Sequence, residues 1–302
     1  MIKKIGFLVL SVIFVSCNPY AFRTSTPITH SYELTVSDIE GKPLEGASVQ
    51  YTLKNRDAIV KDTIVVTPLS GKVTTSVQTT PDPQYYYVMS YRSEMIYRVK
   101  KEDYYSQNGS VTSVYDGGSN TSKPLETKTI TLLKPTDYFQ PTFLSSVRGQ
   151  AIKVKILGFI DLLLLQSLLS DSYLETQTID LVNFKEKDYL AFVFNNTDVY
   201  NSLKLNKYDI AKTLFDEVIR KMLNPLNDYL GDSQGLFGYD LTVWGHTKSF
   251  ADKYASDNKI IYRFLIPSEI VKKYKLKDIS GQQVLDASII LMDDERIDLK
   301  LQ

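Results

Sequence analysis

The sequence predicts a mixed fold, in which an N-terminal all-β sandwich is followed by a C-terminal α+β domain. Three observations lead to this prediction. Apolar and polar side chains alternate in short segments from Tyr32 onward, between glycine and proline turns, which is typical of β-strands. After Asn206 the apolar residues instead recur every three or four positions, which is typical of a helix. Further alternating segments follow that helix, so helices and strands are expected to share the second domain.

The overall composition is that of a folded protein with balanced charge. Of the 302 residues, 43% are hydrophobic, which is enough to build a core in each of two domains. The 35 basic residues are matched by 35 acidic ones. Such a chain does not attract nucleic acid through its net charge, so we expect no nucleic-acid partner.

The first residues have the composition of an export signal. The segment "MIKKIGFLVLSVIFVSC" places two lysines before an apolar run at residues 5–15, and small Ser16 before Cys17, the only cysteine of the chain. The run is shorter than the roughly 20 apolar residues that span a bilayer. The segment resembles a bacterial lipoprotein signal, which implies that residues 1–16 are removed and that Cys17 is lipidated and anchors the chain to a membrane. The alternative is an ordinary signal peptide that ends at a coincidental cysteine.

A tether is predicted at residues 17–30, where "NPYAFRTSTPITH" carries two prolines, several hydroxyl side chains and His30. Asn18 follows the cysteine at the position where an aspartate, in enterobacterial lipoproteins, implies retention in the inner membrane. By that analogy we expect a location in the bacterial cell envelope, at the outer membrane.

The β-sandwich is predicted at residues 31–135. In "YELTV", Tyr32, Leu34 and Val36 share one face, and "DIEGKPLEGASVQYTL" continues with glycine and proline turns and a second strand. Together with "PLSGKVTTSVQTT" and "YYYVMSYRSEMIY", this stretch resembles the carboxypeptidase-regulatory-like or transthyretin-like β-sandwich domains of secreted bacterial proteins. The resemblance implies a stalk or an adaptor. The segment "SQNGSVTSVYDGGSNTS" departs from the pattern as a long polar insertion, and "KTITLLK" is the expected last strand before a boundary near Lys134.

The α+β domain is predicted at residues 136–302. Its most apolar stretch, residues 156–169, predicts a central core helix, with a partner-facing or bilayer-facing helix as the alternative. A strand is expected in "DYLAFVFNN", where Leu190, Phe192 and Phe194 alternate with Ala191 and Val193.

The strongest helix signal lies in "NKYDIAKTLFDEVIRKMLNPLNDYLG". Asn206 is expected to cap its N-terminus in a capping-box-like pair with Asp209, and Gly231 to lie at its C-terminal end. Pro225 is expected to kink this helix or to begin a second one. The segments "YDLTVWGH", "IIYRFLI", "SIILM" and "RIDLKL" predict strands, and "SEIVKKYKL" predicts a short helix capped by Ser268.

Few residues are candidates for chemistry. His246 is the only histidine in a predicted folded domain, and the chain has no phosphate-binding loop, dinucleotide fingerprint or serine-nucleophile motif. We therefore expect no metal and no cofactor. Asp240, Trp244 and His246 fall on one side of the strand in "YDLTVWGH", opposite Leu241 and Val243. Such a row is suited to binding a sugar or to acid–base chemistry. The alternative, which alternation alone favours, is the solvent-facing side of an amphipathic strand.

These observations together predict a membrane-anchored envelope lipoprotein that acts as a non-enzymatic binding or scaffold module for a protein or glycan partner. Two alternatives stay open. One is an envelope hydrolase that acts on a glycan through carboxylates such as Asp240. The other is a membrane-interacting protein that uses residues 156–169.

Overall fold

The computed structural model describes residues 28–55, 58–79, 90–116, 125–165, 172–231, 233, 235–252, 254 and 256–301. The lipidation candidate Cys17, the predicted signal at residues 1–16 and most of the predicted tether lie outside these ranges. The chain divides into two compact units, of which the first ends at Leu132 and the second begins at Leu133.

The first unit consists of β-strands in two sheets over its described residues. These strands are β1 (Ile28–Ser37), β2 (Ser48–Asn55), β3 (Ala58–Val66), β4 (Lys72–Thr79), β5 (Ser90–Lys100), β6 (Gln107–Asp116) and β7 (Leu125–Thr131). One sheet has the order β4-β1-β7 and the other has the order β3-β2-β5-β6. The pairs are antiparallel, except that β1 and β7 run parallel.

The core of the first unit contains the residues that the alternation places inward. Tyr32, Leu34 and Val36 of β1 are buried, which confirms their predicted face. Residues of β2 belong to the same apolar cluster, namely Val49, Tyr51 and Leu53. Each large apolar side chain contributes about 1.5–3 kcal/mol by leaving water, so this cluster holds the two sheets together.

His30 lies in β1 and in the core, so its predicted place in a tether is wrong. β1 begins at Ile28, and His30 has no exposed surface. The ring is satisfied on both sides, because Nδ1 lies 2.9 Å from Ser113 Oγ and Nε2 lies 3.1 Å from Thr79 Oγ1. The two hydroxyls replace the hydrogen bonds that the ring would make to water, so burying this polar side chain carries little free-energy penalty. Burial lowers the pKa of His30, and the charge of Glu126 opposes that shift.

The predicted polar insertion is in part a strand of the sheet. β6 pairs with β5 over its length, from Val99 opposite Gln107 to Ser90 opposite Asp116. Its polar residue Ser113 points inward and is buried, where it contacts His30. The sequence of β6 therefore does not show the apolar–polar alternation of a strand, because a serine occupies an inward position that an apolar residue usually fills.

One turn of the first unit requires glycine. Gly71 has a φ of +65°, and a Cβ there would lie 2.4 Å from the carbonyl oxygen of Val36. The amide of Val36 donates to the Gly71 carbonyl at 2.9 Å, which holds the two segments together. Both the backbone angle and the lack of space exclude a side chain at this position.

The second unit combines helices with one sheet over its described residues. After a 3₁₀ turn (Pro135–Tyr138), its helices are α1 (Pro141–Ser145), α2 (Val147–Leu165), α3 (Lys207–Leu214), α4 (Arg220–Leu230), α5 (Ser268–Lys275) and α6 (Gly281–Asp286), with a π-helical segment (Phe215–Ile219) between α3 and α4. Its strands are β8 (Ser172–Leu174), β9 (Asp180–Phe184), β10 (Lys187–Asn201), β11 (Gly238–Lys248), β12 (Asn258–Pro267), β13 (Ile289–Met292) and β14 (Glu295–Ile297). The sheet order is β14-β13-β12-β11-β10-β8, and β9 also pairs with β10.

Helix α2 and the π segment pack on one face of this sheet. Phe192 of β10, Leu241 of β11 and Phe264 of β12 lie side by side in the register and have no exposed surface. Phe159 of α2 contacts Phe192 with ring centroids 5.4 Å apart, and Phe215 of the π segment contacts Phe264 at 5.9 Å. β10 and β11 are parallel, and the helical segment between them provides the crossover that parallel strands need. The β-sandwich and this layered unit confirm the predicted fold class.

The predicted long helix forms, with an interruption at an unexpected place. Asn206 caps α3, since its Oδ1 accepts the amide of Asp209 at 2.9 Å, and Gly231 is the C-cap residue of α4. No second helix begins at Pro225, which lies inside α4. The interruption is instead the π segment, five residues of wider helix upstream of the proline.

The short helix α5 is capped differently from the prediction. Pro267 is its N-cap residue, and Ser268 is the first helical residue. The hydroxyl of Ser268 donates to the Phe237 carbonyl at 3.2 Å, so a tertiary contact takes the place of the expected cap.

Helix α2 covers the described part of the apolar stretch predicted at residues 156–169. Ile156, Phe159 and Ile160 are buried, whereas Val154 and Asp161 are exposed. The helix therefore has a core face, as the interpretation as a core helix requires, and residues 166–169 lie outside the described ranges. Among the described residues, no helix combines the length and the apolar character needed to cross a membrane.

Candidate functional site

The three candidate residues share one face of the central strand β11, as predicted. The register places Asp240 opposite Leu265, and Trp244 opposite Ile261, on the side of the sheet away from Phe192 and Phe264. We call this side the Trp244 face and define it by Asp240, Trp244 and His246. The interpretation as a solvent-facing side is wrong for Asp240, which is only 2% exposed. Trp244 and His246 are partly exposed.

Asp240 is held in a buried ion pair. Arg263 of the neighbouring strand β12 places Nη2 2.5 Å from Asp240 Oδ2 and Nε 3.4 Å from Oδ1. The hydroxyl of Thr242 donates to Oδ1 at 3.3 Å. The hydrogen bond to Asp240 raises the pKa of Arg263, so the guanidinium is firmly charged. Arg263 and Thr242 therefore compensate the buried carboxylate of Asp240, because burying a carboxylate without such partners would be very costly in free energy.

Trp244 is covered on one side of its ring by a lysine. The Nζ of Lys259 lies 3.0 Å from the centroid of the indole ring. An ammonium over the face of tryptophan is attracted by the negative charge density of the ring. This contact orients the only tryptophan of the chain and keeps a positive charge beside it.

His246 contacts two acceptors. Its Nε2 lies 2.9 Å from Asn195 Oδ1, and its Nδ1 lies 3.3 Å from Asp257 Oδ2. An amide oxygen and a carboxylate only accept hydrogen bonds, so a neutral ring donates to one of these two partners and a charged ring donates to both.

Asn195 extends this network across the sheet. Its Nδ2 donates to Tyr173 OH and to Glu175 Oε1, each at 2.9 Å. Partial burial and the charge of Glu175 raise the pKa of Tyr173, whose side chain is 48% exposed. A chain of contacts therefore runs from Asp257 through His246 and Asn195 to the edge strand β8.

The partners in this network were missed by the sequence analysis. Asn195 had a usable signal, because the alternation that places Ala191 and Val193 away from the apolar side also places Asn195 there. Arg263 had the same kind of signal in "IIYRFLI". Tyr173 and Glu175 had none, since β8 has only three residues, too few to show a period, and Glu175 lies just after it.

The other end of the Trp244 face is apolar. Tyr189, Leu265 and Leu291 are buried there in a small cluster. Burial raises the pKa of Tyr189, and the charge of Asp240 adds to that effect. The ion pair of Asp240 thus lies between an apolar end and a polar end that carries Trp244.

The polar groups of the Trp244 face are held by contacts within the protein. Asp240 pairs with Arg263, and the two nitrogens of His246 face Asn195 and Asp257. The partly exposed polar and aromatic groups can donate and accept hydrogen bonds and offer ring surface to a partner. Over the residues that the structure describes, no group of three or more histidine, cysteine, aspartate or glutamate side chains is placed to hold a metal ion.

Comparison with known proteins finds only distant structural likeness. No family model matches the chain, and no curated protein matches it. Among solved structures, it is similar to 3-chlorocatechol 1,2-dioxygenase from Rhodococcus opacus 1CP, with 11% identity, 37% of this chain and 62% of that chain covered, and a TM-score of 0.28. It is also similar to catechol 1,2-dioxygenase from Acinetobacter radioresistens, with 15% identity, 36% and 53% covered, and a TM-score of 0.26. For hydroxyquinol 1,2-dioxygenase from Pseudomonas putida DLL-E4 the identity is 8%, 37% and 58% are covered, and the TM-score is 0.25.

The chain thus spans between about half and two thirds of the length of these enzymes. At TM-scores this low the likeness carries no conclusion about activity.

Proposed function

We propose that this chain is a membrane-anchored lipoprotein of the bacterial cell envelope, at the outer membrane, and that it is a non-enzymatic binding or scaffold module. The second unit presents the Trp244 face to a protein or glycan partner, and the first unit acts as a stalk or adaptor. The anchor is the acylated Cys17, and the first unit is a carboxypeptidase-regulatory-like or transthyretin-like sandwich. Each buried methylene of an acyl chain contributes about 0.8 kcal/mol, so two or more chains hold a protein on a membrane.

One observation carries the proposal of binding without turnover. Both candidate acid–base groups of the Trp244 face are bound by the protein itself, Asp240 by Arg263 and His246 by Asp257 and Asn195. A glycan hydrolase acting through Asp240 would have to break that ion pair and expose a carboxylate that is now 2% exposed. The hydrolase alternative therefore has no support from this geometry.

Site-specific crosslinking in the intact envelope tests the binding face. A photo-crosslinking residue in place of Tyr173 on the Trp244 face is compared with one in place of Tyr229 on α4, which is also partly exposed. We expect an adduct at Tyr173 and none at Tyr229. A glycan partner is distinguished from a protein partner by an adduct that glycan digestion removes. Identical patterns at both positions, or no adduct at either, would contradict the proposed face.

Mass spectrometry of the mature N-terminal peptide tests the anchor separately. We expect Cys17 as the first residue, with two or three acyl chains, and release of a Cys17→Ser variant from the membrane fraction. An unmodified N-terminus at another residue would refute the lipoprotein proposal. The crosslinking result at Tyr173 would still test the binding face, then as that of an exported protein without a lipid anchor.

A further inference from the structure

Two aromatic side chains flank Asn195 on the Trp244 face. The register places Tyr173 of β8 opposite Asn195 of β10, and Asn195 opposite Trp244 of β11. The three residues therefore lie side by side on one face of the sheet, and we call them the aromatic row. Two strand spacings separate Tyr173 from Trp244, which is about 10 Å between their Cα atoms. The shorter side chain of Asn195 lies between the two larger ones, and all three keep part of their surface exposed.

Contacts within the protein fix the polar groups of the aromatic row. Asn195 Nδ2 donates to Tyr173 OH and to Glu175 Oε1, each at 2.9 Å. Its Oδ1 lies 2.9 Å from His246 Nε2, and the other ring nitrogen lies 3.3 Å from Asp257 Oδ2. Side chains that are already held in one arrangement lose little conformational entropy when a ligand binds, so the row is organised for binding.

Two carboxylates beside the row have further capacity to accept hydrogen bonds. An ionised carboxylate offers about four acceptor sites on its two oxygens. The contact with Asn195 uses Oε1 of Glu175, and the contact with His246 uses Oδ2 of Asp257. Glu175 is half-buried and Asp257 is exposed, so both carboxylates can be reached from solvent. They suit a ligand that donates several hydrogen bonds and carries no negative charge of its own.

The size and composition of the exposed surface favour a small ligand over a protein. On the apolar side of the row, Ala191, Asp240 and Thr242 are each at most 9% exposed, so the accessible part of the Trp244 face is its polar end. A standard protein interface takes about 20–30 residues from each partner, far more than this end offers. The contact regions of such interfaces are also depleted of glutamate and aspartate, whereas Glu175 and Asp257 lie beside the row.

A sugar has the matching chemistry. The C–H groups on one side of a sugar ring pack against an aromatic side chain, and its hydroxyls donate hydrogen bonds to carboxylates. Lys259 reaches Trp244 from β12, whereas Asn195 and Tyr173 lie on the other side of β11. We propose that the partner of the Trp244 face is a neutral glycan, one sugar of which packs on Tyr173 over the aromatic row and donates hydrogen bonds to Glu175. This inference rests on the proposed binding function of the face and names the class of its partner.

Titration calorimetry tests the inference with the chain from residue 17 onward carrying Cys17→Ser, so that no acyl chain interferes. The probes are neutral hexasaccharides of glucose, mannose, xylose and galactose, and a hexasaccharide of galacturonic acid as the acidic probe. We expect saturable binding of at least one neutral hexasaccharide and weaker binding of the acidic one, because Glu175 and Asp257 repel its carboxylates. The fluorescence of Trp244, the single tryptophan, is expected to change with the same midpoint.

Matched variants locate the bound sugar. Tyr173→Ala removes the ring and is expected to weaken binding by about tenfold, whereas Tyr173→Phe keeps the ring and is expected to weaken it by no more than about threefold. Tyr208→Ala on α3 is the control, because Tyr208 and Tyr173 are both 48% exposed, and it is expected to leave binding unchanged. Glu175→Gln is expected to weaken binding by about tenfold, and Glu269→Gln on α5 to have no effect. Circular dichroism verifies that each variant is folded.

Three results would overturn the inference: no binding of any neutral hexasaccharide, tighter binding of the acidic one than of every neutral one, or equal losses in Tyr173→Ala and Tyr208→Ala. Crosslinking at Tyr173 in the intact envelope separates the inference from the proposed function. An adduct that glycan digestion removes supports both. A protein adduct that resists glycan digestion overturns the inference and keeps the proposed binding face, whereas no adduct contradicts both.

Discussion

Replacing Arg263 by methionine is expected to destabilise the second unit strongly. The substitution keeps most of the apolar stem but leaves the Asp240 carboxylate, which is 2% exposed, without its partner at 2.5 Å. Removing one member of a fully buried ion pair costs about 3–5 kcal/mol. The Arg263 side chain keeps 26% of its surface exposed, so water partly compensates and we expect a loss of about 2–3 kcal/mol.

The assay uses the single tryptophan of the chain as a local probe. Trp244 lies on the same face as Asp240, so its fluorescence during urea unfolding reports on this sheet and not on the first unit. With a slope of about 1–3 kcal/mol per molar urea, the midpoint should fall by about 1 M. In a double-mutant cycle, Asp240→Asn with Arg263→Met should lose less than the sum of the single variants, with a coupling of about 2 kcal/mol.

An exposed pair in the same unit provides the control. Lys275 and Asp228 lie 2.8 Å apart but are both well exposed, so Lys275→Met should change stability by no more than about 0.5 kcal/mol. The reasoning would be refuted if Arg263→Met had an effect as small as that of Lys275→Met. It would also be refuted if the cycle showed no coupling between Arg263 and Asp240.

Three further predictions concern particular residues of the two units. Burial lowers the pKa of His30 below its ordinary value of 6.5, so the folded first unit favours the neutral ring. The contribution of His30 to the stability of this unit should therefore be constant above about pH 6.5. It should fall as the pH drops below that value towards the folded-state pKa. His30→Gln should flatten this profile in thermal melts followed by circular dichroism, and an unchanged profile would refute the assignment. Gly71→Ala should lower the free energy of unfolding by about 3 kcal/mol or more, because the added Cβ would lie 2.4 Å from a carbonyl oxygen. Gly41 has a φ of +80° but open space around it, so Gly41→Ala should lower the free energy of unfolding by only about 1 kcal/mol in the same melts. Equal losses would contradict the steric argument. Lys259→Ala should cost up to about 1 kcal/mol and should increase acrylamide quenching of Trp244, since the lysine lies 3.0 Å from the ring centroid. Unaltered quenching would show that the lysine does not cover the ring in solution.

Much of the fold could be predicted because its signals are local. Tyr32, Leu34 and Val36 were placed on the inner face of a strand by their period of two, and the burial of all three confirms this. Asn206 was identified as an N-cap because its side chain bonds to an amide only three positions away. The same local reasoning failed at His30 and Ser113, because a polar residue at an inward position interrupts the apolar pattern that defines a strand.

The candidate site was predicted only in part, for the same reason. Alternation alone places Asp240, Trp244 and His246 on one face of a strand. It does not reveal that Asp240 is buried, because burial depends on what the neighbouring strand contributes. The hydrophobic pattern of "YDLTVWGH" is compatible with either a solvent-exposed or a buried position for the face that carries Asp240.

The sequence by itself determined the alternation of the strands, the capped helix between β10 and β11 and the order of the two units. These features follow from residue spacing and from bonds within a few residues of each other. The expectation that Cys17 is lipidated rests instead on a resemblance to bacterial lipoprotein signals. Only the tertiary structure decided which polar groups meet. Asp240 finds Arg263 23 positions away, His246 finds Asn195 51 positions away, and His30 finds Ser113 83 positions away. Contacts at such separations depend on how strands pair across sheets and on how the two sheets of the sandwich face each other, and no local pattern in the chain specifies those arrangements.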